Sequence, residues 1–587
     1  MSRERVGHRE RVGHNELKKA AFFGDCDGET LNKLWSNGTV LSLAGGQALF
    51  QQGHPSTDLY VVLSGRLIIV RNTGEDEEVI GYVRSGEPVG EMSLLTGDIH
   101  SASAFALRDT KLFKLSRAHF EYFLGNNADF VRSLTCTILQ RTRGSPTSTS
   151  FAPPRVFALV GSSPSIDISA CARELQRLIV NHARSATIID QISNANATFA
   201  EEEARSDIIL LPCRVEDSDW YRFVLRQSDR FFVFARRDAR PPVPFPLSPE
   251  PSSPARRFRL VDLVAVHEGQ GTISLTNWAE TTDANRIFHW RDGVSRDRLA
   301  RAIMAKTTAL VLSGGGARAY AHIGVIKALY ERRIPIDFVG GTSMGAIVGA
   351  CVAMGWGIEE MKERLKDAFV ESSPLNDHVL PVVALTGGRK VEERLQRHFG
   401  DMLIENLEIP FFCVSSELTN GVVHIHRRGL LRKALRASIS LPGILPPVVD
   451  GSCLFVDGAV LNNLPTDIMQ TVHRGLTVGV DVAREGSISN EPFIDPPGFF
   501  GWIGQNGLSS VPPIVSLLMR SATVRNDDKV RVRPDILVEP TAHGIELRDW
   551  KKFDVAIENG YTAALEAFKL HDEALAVYKQ NDSSANA

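Results

Sequence analysis

A serine flanked by glycines is the residue of this chain best placed to act as a nucleophile. Ser343 lies in the run Gly341-Thr342-Ser343-Met344-Gly345, between an apolar run at 334–339 and a run of apolar and small residues at 346–353. A G-x-S-x-G between a strand and a helix is typical of a nucleophile elbow, where a tight turn exposes the serine Oγ at a helix N-terminus. The helix dipole and amides there favour developing negative charge. Gly341 and Gly345 would form this elbow, although five residues alone are a weak signal.

Three consecutive glycines upstream could supply the hydrogen-bond donors that such a nucleophile needs. Gly314, Gly315 and Gly316 follow an apolar run at 309–312 and precede a helical pattern at 321–331. Consecutive glycines let backbone N–H groups face one point without a Cβ in the way, as an oxyanion hole requires. A flexible loop or a phosphate-binding loop has the same composition. Ser343, about one β-α-β unit downstream, favours the oxyanion hole.

A base for the serine is the third requirement, and an aspartate at the end of a strand-like run could meet it. Asp457-Gly458-Ala459 follows the apolar run 453–456. An Asp at a strand end beside Gly is a plausible active-site base, but many Asp-Gly pairs only form turns. In isolation, the turn is the better interpretation of Asp457.

Taken together, these segments resemble the patatin-like phospholipases, and most closely the neuropathy-target-esterase branch, over residues 285–570. Several separate motifs in the family's order make the resemblance specific. They are Ser313–Arg318 followed by AHIGVIKAL, GGTSMGA around Ser343, SISLPGILPP at 438–447, Asp457-Gly458-Ala459 with Asn462-Asn463-Leu464-Pro465, and Asp549-Trp550-Lys551-Lys552-Phe553.

The resemblance implies a Ser–Asp dyad and no catalytic cofactor or metal. Ser343 would be the nucleophile and Asp457 the base that takes its proton. The oxyanion would be surrounded by four residues of the glycine loop, Gly314, Gly315, Gly316 and Arg318. The acyl group would pass to Ser343 and then to water. The family's substrates are acyl esters of glycerolipids, and its closest branch looks like lysophospholipases.

One position departs from the family pattern. The glycine loop of the family usually has Gly after its basic residue, where this chain has Ala319. Alanine costs little unless its φ is positive, so we expect a tuned site and not an inactive one.

Histidines could still complete a Ser-His-Asp triad. None stands in a motif that matches a hydrolase histidine, and His322, one turn into the helix after the glycine loop, is better explained as a structural residue. Our hypothesis is that the dyad suffices. The histidines considered for this role are His322, His378, His424, His426, His473 and His543.

Residues 20–140 resemble a cyclic-nucleotide-binding domain. The resemblance rests on Gly53, on the run Asp58 to Gly65 and on GEMSLL at 90–95. In such domains a short glycine-led helix and an Arg hold the cyclic phosphate, and a Glu takes the ribose hydroxyl. The corresponding pocket here would contain Gly90, Glu91, His100 and Ser101, with His100 where Arg is expected. A histidine is largely neutral at pH 7 and lacks the guanidinium fork, so cyclic-nucleotide binding as a regulator stays an open alternative to an interaction or lipid-docking role.

The elements that must position these residues suggest a multidomain α/β chain. Short β-rich runs between 40 and 115 predict an all-β barrel or sandwich, followed by one helical run from His119 to about Arg141. Strand and helix patterns alternate at 155–285, which predicts a parallel α/β segment. Its loop at 161–165 lacks both nucleotide-binding fingerprints. The predicted domains are a cyclic-nucleotide-binding-like β-barrel at 20–142, a linker at 143–154, a middle α/β segment at 155–285, and a patatin-like α/β hydrolase domain at 286–575 with core motifs at 308–470.

Composition narrows the function classes. The 587 residues carry a net charge of −3, which gives no global basic field for nucleic acid. Seven scattered cysteines predict reduced thiols in the cytoplasm, and the charged N-terminus is not a signal peptide. No run approaches the roughly 18 uninterrupted apolar residues of a spanning helix, so we expect any membrane contact to be peripheral, at the inner face of the membrane. The apolar and aromatic residues at Pro497–Ile503, with Phe499, Phe500 and Trp502, and at Leu508–Met519 predict a lip or lid, although the aromatic residues could equally fill the core.

The function predicted from the sequence is a serine esterase acting on phospholipids or lysophospholipids. The alternative is a cyclic-nucleotide-responsive or lipid-docking scaffold with a silent hydrolase domain, which the intact Ser343 and Asp457 disfavour. A serine peptidase is a third candidate, disfavoured because no motif histidine is found.

Overall fold

The computed structural model of the chain divides into two compact units. They are Met1–Val264 with Thr281–Asn285, and Ala265–Glu280 with Arg286–Ala587. The domain limits predicted from the sequence lie at 142/143, 154/155 and 285/286. They rest on composition and motifs and not on the compactness of the units, so they stay predictions. Structure is described for residues 17–580 except positions 19, 75–76, 144–153, 192–198, 200, 204, 217, 243–244, 248–259, 268–274, 372–376, 378, 380–382, 483–500, 502–503, 505–531, 542–544 and 546–548.

The first unit begins with eight short strands and four helices. The strands are β1 (Thr39–Leu43), β2 (Ala48–Phe50), β3 (Asp58–Ser64), β4 (Arg66–Asn72), β5 (Glu77–Arg84), β6 (Pro88–Val89), β7 (Ser103–Ala106) and β8 (Thr110–Ser116). The helices are α1 (Gly28–Asn37), α2 (Glu91–Thr96), α3 (Arg117–Asn126) and α4 (Ala128–Arg143). The strands form two antiparallel four-stranded sheets, in the orders β1-β8-β3-β6 and β2-β7-β4-β5. The predicted all-β module is confirmed.

The prediction of one uninterrupted helix after the barrel is wrong. The helical run is divided into α3 and α4 at Asn127, which adopts an extended conformation with φ −140° and ψ 107°. The side-chain oxygen of Asn127 accepts the backbone N–H of Phe130 at 2.8 Å, which caps the second helix. Asparagine side chains compete for backbone donors in this way, and apolar periodicity does not reveal it.

The middle segment is a parallel α/β sheet, as predicted. Its strands are β9 (Val156–Gly161), β10 (Ala186–Ile188), β11 (Ile208–Arg214), β12 (Arg230–Arg236) and β13 (Leu260–Val266), and its helices are α5 (Ile168–Asn181) and α6 (Asp219–Gln227). The sheet order is β10-β11-β9-β12-β13, and the first four strands pair in parallel. Strands β9 and β12 are almost wholly buried, which explains their unbroken apolar sequence.

Buried charges join the barrel to this sheet within the first unit. Asp229, 4% exposed, accepts the backbone N–H groups of Arg155 and Val156 at 2.9 and 3.1 Å. It also lies 3.1 Å from Arg108 Nε and 3.8 Å from Arg66 Nη1, both of the barrel. These guanidinium groups hold the pKa of Asp229 below its usual range although burial opposes them. A buried carboxylate needs such partners, so the two parts are fixed to each other here.

The second unit is built on one large mixed sheet. Strand β14 (Arg286–Trp290) is not part of this sheet. The strands that form it are β15 (Thr307–Leu312), β16 (Phe338–Thr342), β17 (Phe411–Glu417), β18 (Val422–His426), β19 (Val448–Asp450), β20 (Cys453–Asp457), β21 (Gly475–Val480) and β22 (Ile536–Val538). The sheet order is β19-β20-β17-β16-β15-β21-β22, and β18 pairs with β17. Strands β17, β16, β15, β21 and β22 run in parallel, whereas β18 and β20 are antiparallel to β17.

Helices alternate with the strands of the second unit along the chain. They are α7 (Thr276–Thr282), α8 (Gly293–Ile303), α9 (Ala321–Glu331), α10 (Met344–Ala353), α11 (Ile358–Leu365), α12 (Arg389–Phe399), α13 (Leu431–Ser438), α14 (Thr466–Val472), α15 (Phe553–Leu570) and α16 (Asp572–Ala576). Helix α10 is buried along its whole length, as its uninterrupted small and apolar residues require. The carboxyl ends of β15 and β16 lie side by side, and we call this edge of the sheet the active-site edge.

Candidate active site

Ser343 stands in a strained turn between β16 and α10. Its backbone has φ 54° and ψ −129°, outside the regions that L-residues favour. The turn is tight because Gly345 packs on the neighbouring strand end: a Cβ at Gly345 would overlap the carbonyl oxygens of Leu312 and Ser313. The elbow pattern is therefore formed as predicted, with Gly341 as the fourth residue of β16. Such strain is typical of functional sites.

The hydroxyl of Ser343 donates a hydrogen bond to Asp457 Oδ2, at 2.6 Å. Asp457 ends β20 and lies opposite Ser415 of β17, whereas Thr342, the residue before the nucleophile, lies opposite Val414. Adjacent positions on β17 thus bring together two residues that are 114 positions apart in the chain. The other carboxylate oxygen, Oδ1, accepts the N–H of Ala459 at 2.8 Å, which orients the carboxyl group.

Burial raises the pKa of Asp457 to about 6. The side chain is 1% exposed, and the hydrogen bonds from Ser343 and Ala459 oppose the rise without cancelling it. A carboxylate whose pKa lies close to neutral pH is a stronger base than an ordinary aspartate and is still ionised at pH 7. The environment therefore suits Asp457 to take a proton from Ser343.

The glycine loop lies against the nucleophile. A Cβ at Gly314 would lie 2.8 Å from Ser343 Cβ, so only glycine fits there. The N–H of Gly314 itself donates to Asn463 Oδ1 at 3.1 Å, and Gly316 has a φ of 56°. Arg318 donates its backbone N–H to the Gly315 carbonyl at 3.2 Å and its Nε–H to the Ile545 carbonyl at 2.7 Å. Of the four predicted oxyanion residues, Gly315 and Gly316 are therefore the two whose backbone N–H groups have no acceptor among the described residues and could donate to an oxyanion.

Ala319, the departure from the family pattern, lies in the 3₁₀ helix Gly316–Tyr320 and is fully buried. Its φ is not positive, since the positive-φ non-glycine residues are Ala183, Asp283, Ala305, Arg333 and Ser343 among the described positions. Alanine therefore fits this position without backbone strain.

Ser438 has a role that the sequence did not reveal. Its Oγ accepts the N–H of Ser343 at 3.0 Å and donates to the Val414 carbonyl at 2.7 Å. The side chain is fully buried and so connects the strained elbow to β17. Asn463 acts in the same way on the glycine loop. Both belong to segments that carried the family resemblance, but a side chain that serves a backbone group leaves no spacing pattern to recognise.

We expect Ser438→Ala to lower kcat about 10-fold while KM changes little, because the elbow amide would lose its acceptor inside the core. Steady-state kinetics on a soluble ester measure both constants. Ser438→Thr keeps the hydroxyl and should recover most of kcat. An alanine variant with the wild-type kcat, or a threonine variant as impaired as alanine, would contradict a positioning role.

The described histidines have partners other than Ser343. His322 donates from Nε2 to the Ser313 carbonyl at 2.9 Å, and burial lowers its pKa to about 4, so the ring is neutral and holds the start of the glycine loop. His426 pairs with Ser415 at 2.8 Å, and His473 with Thr307 at 2.8 Å. His424 packs on His426 and Phe455. His378 and His543 lie outside the described residues.

In the N-terminal barrel the predicted nucleotide pocket contains a neutral ring. His100 is 5% exposed and stacks on Phe50, with ring centroids 3.8 Å apart and 6° between the planes. Burial, and secondarily the charge of His54, lower its pKa, so no positive charge stands at this position at pH 7. Gly90, with φ 88°, precedes α2 and lies beside the His100 ring, and Glu91 is buried. Ser101 is exposed.

No helix in the described part of the chain is long and apolar enough to cross a bilayer. The predicted lip or lid residues Phe499, Phe500, Trp502 and Ile503, and the run Leu508–Met519, lie outside the described residues. Within the same described ranges, no group of three or more His, Cys, Asp or Glu side chains is arranged to hold a metal ion.

Comparison with known proteins identifies both functional modules. Residues 310–469 match the family described as Patatin-like phospholipase, and residues 40–127 match the Cyclic nucleotide-binding domain. An uncharacterized NTE family protein of Mycobacterium tuberculosis is 29% identical, over 97% of this chain and 98% of its own length.

Two further relatives are larger proteins. Patatin-like phospholipase domain-containing protein 6 of Homo sapiens is 27% identical over 78% of this chain and 38% of its own length. Lysophospholipase nte1 of Neosartorya fischeri is 25% identical over 89% of this chain and 41% of its own length. This chain thus spans less than half of either protein. The comparisons confirm the resemblances drawn from the sequence: the chain combines a cyclic-nucleotide-binding domain with a patatin-like phospholipase domain, and its relatives are proteins of the neuropathy target esterase family.

Proposed function

We propose that this chain hydrolyses acyl esters of lysophospholipids, and of phospholipids more slowly, through a Ser343–Asp457 dyad. The observation that carries the proposal is the 2.6 Å hydrogen bond from the strained Ser343 to a buried carboxylate whose pKa is about 6. A nucleophile, a matched base and a glycine loop in contact with the nucleophile are the parts that acyl transfer needs.

In the proposed reaction, Ser343 Oγ bonds to the ester carbonyl carbon while its proton passes to Asp457 Oδ2. The carbonyl electron pair moves to oxygen, and the amides of Gly315 and Gly316 stabilise that oxyanion. Collapse breaks the bond to the glycerol oxygen, which takes the proton from Asp457 and leaves. Asp457 then removes a proton from water, whose oxygen attacks the acyl-enzyme. The bond from Ser343 Oγ to the acyl carbon breaks, Oγ takes the proton back from Asp457, and the fatty acid leaves.

The lipid class is suggested by the relatives. The Neosartorya fischeri protein is named a lysophospholipase and the Homo sapiens protein a patatin-like phospholipase domain-containing protein. We further propose that the chain works in the cytoplasm and meets its lipid peripherally, at the inner face of the membrane. All seven cysteines are free of disulfide bonds, which supports a reducing compartment.

Fatty-acid release from lysophosphatidylcholine tests this function. The purified chain should release fatty acid from the single-chain lipid faster than from phosphatidylcholine, with a Ser343→Ala sample as blank. A folded wild-type protein that releases no fatty acid from either lipid would instead support a scaffold with a silent hydrolase domain.

The barrel should bind cyclic nucleotides weakly. A charged phosphate contact contributes about 1.5–3 kcal/mol, so the neutral His100 ring in place of a guanidinium should weaken binding about 10- to 150-fold. Calorimetric titration with cAMP and cGMP should therefore show no binding at low-micromolar nucleotide concentrations. Low-micromolar or tighter binding of either nucleotide would contradict this, and the barrel would then be a nucleotide-responsive regulator.

A further inference from the structure

Two hairpins extend past the active-site edge of the second unit. Strand β17 continues beyond Val414, which lies beside the elbow, and turns into β18 after Glu417. Strand β20 follows β19 in a hairpin, runs antiparallel to β17 and ends at Asp457. The β17–β18 and β19–β20 turns therefore both lie on the side of the sheet where the dyad opens. At about 3.3 Å per strand residue, their tips are roughly 10 Å beyond the dyad.

These tips carry exposed apolar side chains on both faces of the sheet. The strand register places Leu418, Val449 and Leu454 on one face. Val422, which pairs with Glu417, lies on the other face. Val449 is 69% exposed, Val422 51% and Leu418 46%. The half-buried Leu454 joins them: it pairs with Val449 in the strand register, and its carbonyl accepts the N–H of Leu418 at 2.8 Å. We call Leu418, Val422, Val449 and Leu454 the tip cluster. Single exposed apolar residues need no explanation, but a cluster on adjacent hairpins marks an interaction surface.

The polar groups around the tip cluster are nearly neutral. Glu417 is 3% exposed, and its carboxylate accepts N–H groups of Thr419 and Asn420, so it serves the turn itself. The turn residues are Thr419, Asn420, Gly421, Asp450, Gly451 and Ser452, of which Asp450 alone is charged. Such a tip has no electrostatic preference for an acidic or strongly basic partner. It suits uncharged or zwitterionic headgroups, with apolar side chains reaching the acyl layer below them.

We propose that the tip cluster is the surface by which this chain docks on a zwitterionic lipid layer. The proposal rests on the proposed function, because a lipid ester is what the dyad about 10 Å away would receive. Amphipathic surface elements enter the headgroup and acyl boundary by about 5–10 Å, so a docked tip cluster would leave Ser343 just above the headgroups. A lysophospholipid has one chain to withdraw over that distance, which fits the proposed preference for single-chain lipids.

Vesicle binding tests the proposal. The full chain carrying Ser343→Ala, so that lipid is not consumed, is co-sedimented with phosphatidylcholine vesicles, with and without Leu418→Ser, Val422→Ser and Val449→Ser combined. We expect the triple variant to bind about 10- to 100-fold more weakly, given the apolar area of three half-exposed side chains. Binding of the parent should change little with salt or with added anionic lipid.

A matched control uses apolar residues of equal exposure elsewhere in the same unit. Val294 on α8 and Val555 on α15 are 55% and 53% exposed, and their double serine variant should bind vesicles as the parent does. Thermal unfolding checks that each variant is folded. The proposal is overturned if the folded triple variant binds like the control, if the parent does not bind vesicles, or if the triple variant loses self-association instead. Because the readout needs no hydrolysis, failure of the tip cluster and failure of the dyad are separate results.

Discussion

Replacing Ser343 with Ala should lower acyl-ester hydrolysis about 10⁵-fold or more, because no other group can form the acyl-enzyme. Ser343 Oγ is the donor in the 2.6 Å bond to Asp457, and the neighbouring hydroxyl, Ser438, is bonded to the Val414 carbonyl. Fatty-acid release and turnover of a soluble ester measure the loss. Residual activity within about 100-fold of wild type would mean that another nucleophile operates.

The same position offers a test of the elbow strain. Ser343 has φ 54° and ψ −129°, which glycine tolerates and alanine does not. Ser343→Gly should therefore be about 1 kcal/mol more stable than Ser343→Ala, although both are inactive. Chemical unfolding of the two variants gives the difference. An alanine variant more stable than the glycine variant would show that the turn is not strained.

Replacing Asp457 with Asn should lower kcat/KM about 10³- to 10⁴-fold, since the amide cannot take the proton from Ser343. In the wild type, kcat/KM should rise with pH through about 6, because Asp457 is protonated and inactive below its raised pKa and ionised above it. A pH profile on a soluble ester records this limb. A limb near pH 4, or an active Asn variant, would contradict the assignment of Asp457 as base.

Because its pKa is raised, Asp457 also lowers the free energy of unfolding at neutral pH. The folded state holds the proton more tightly than the unfolded state, so protonation favours folding, and the ionised group destabilises the fold above pH 6. About two pKa units correspond to roughly 3 kcal/mol, so Asp457→Asn should be more stable than wild type at pH 8 by up to that amount. The gain should vanish as pH falls from 6 to 4. A less stable Asn variant at pH 8 would show that the carboxylate is well solvated or paired.

The sequence reveals most of the catalytic parts but not how they meet. The elbow, the glycine loop and the helix Ala321–Glu331 follow from spacing and apolar pattern, and the structure has that helix at the predicted bounds. Its place at a strand end makes Asp457 a plausible base, but in isolation a turn explains it better, and the family resemblance decided between the two roles. Its contact with Ser343 depends on β20 entering antiparallel beside β17, a long-range pairing that local patterns do not encode.

Side chains that accept hydrogen bonds from backbone N–H groups could not be identified from the sequence. Ser438 and Asn463 accept N–H groups of Ser343 and Gly314, and nothing in their spacing distinguishes them from other polar residues of their motifs. The missing charge at His100 was visible in the sequence, but its stacking on Phe50 depends on the barrel. The exposure of Leu418 and Val449 similarly follows from two hairpins whose relation only the fold defines.

The central claim, that Ser343 is activated by Asp457, is tested most directly by labelling the purified chain with a fluorophosphonate and locating the adduct by peptide mass spectrometry. We predict one adduct, on Ser343, that forms about 10³-fold more slowly in Asp457→Asn and at the wild-type rate in folded His424→Gln and His426→Gln variants. An adduct on another residue, or labelling that survives Asp457→Asn but is lost with either histidine, would contradict the dyad.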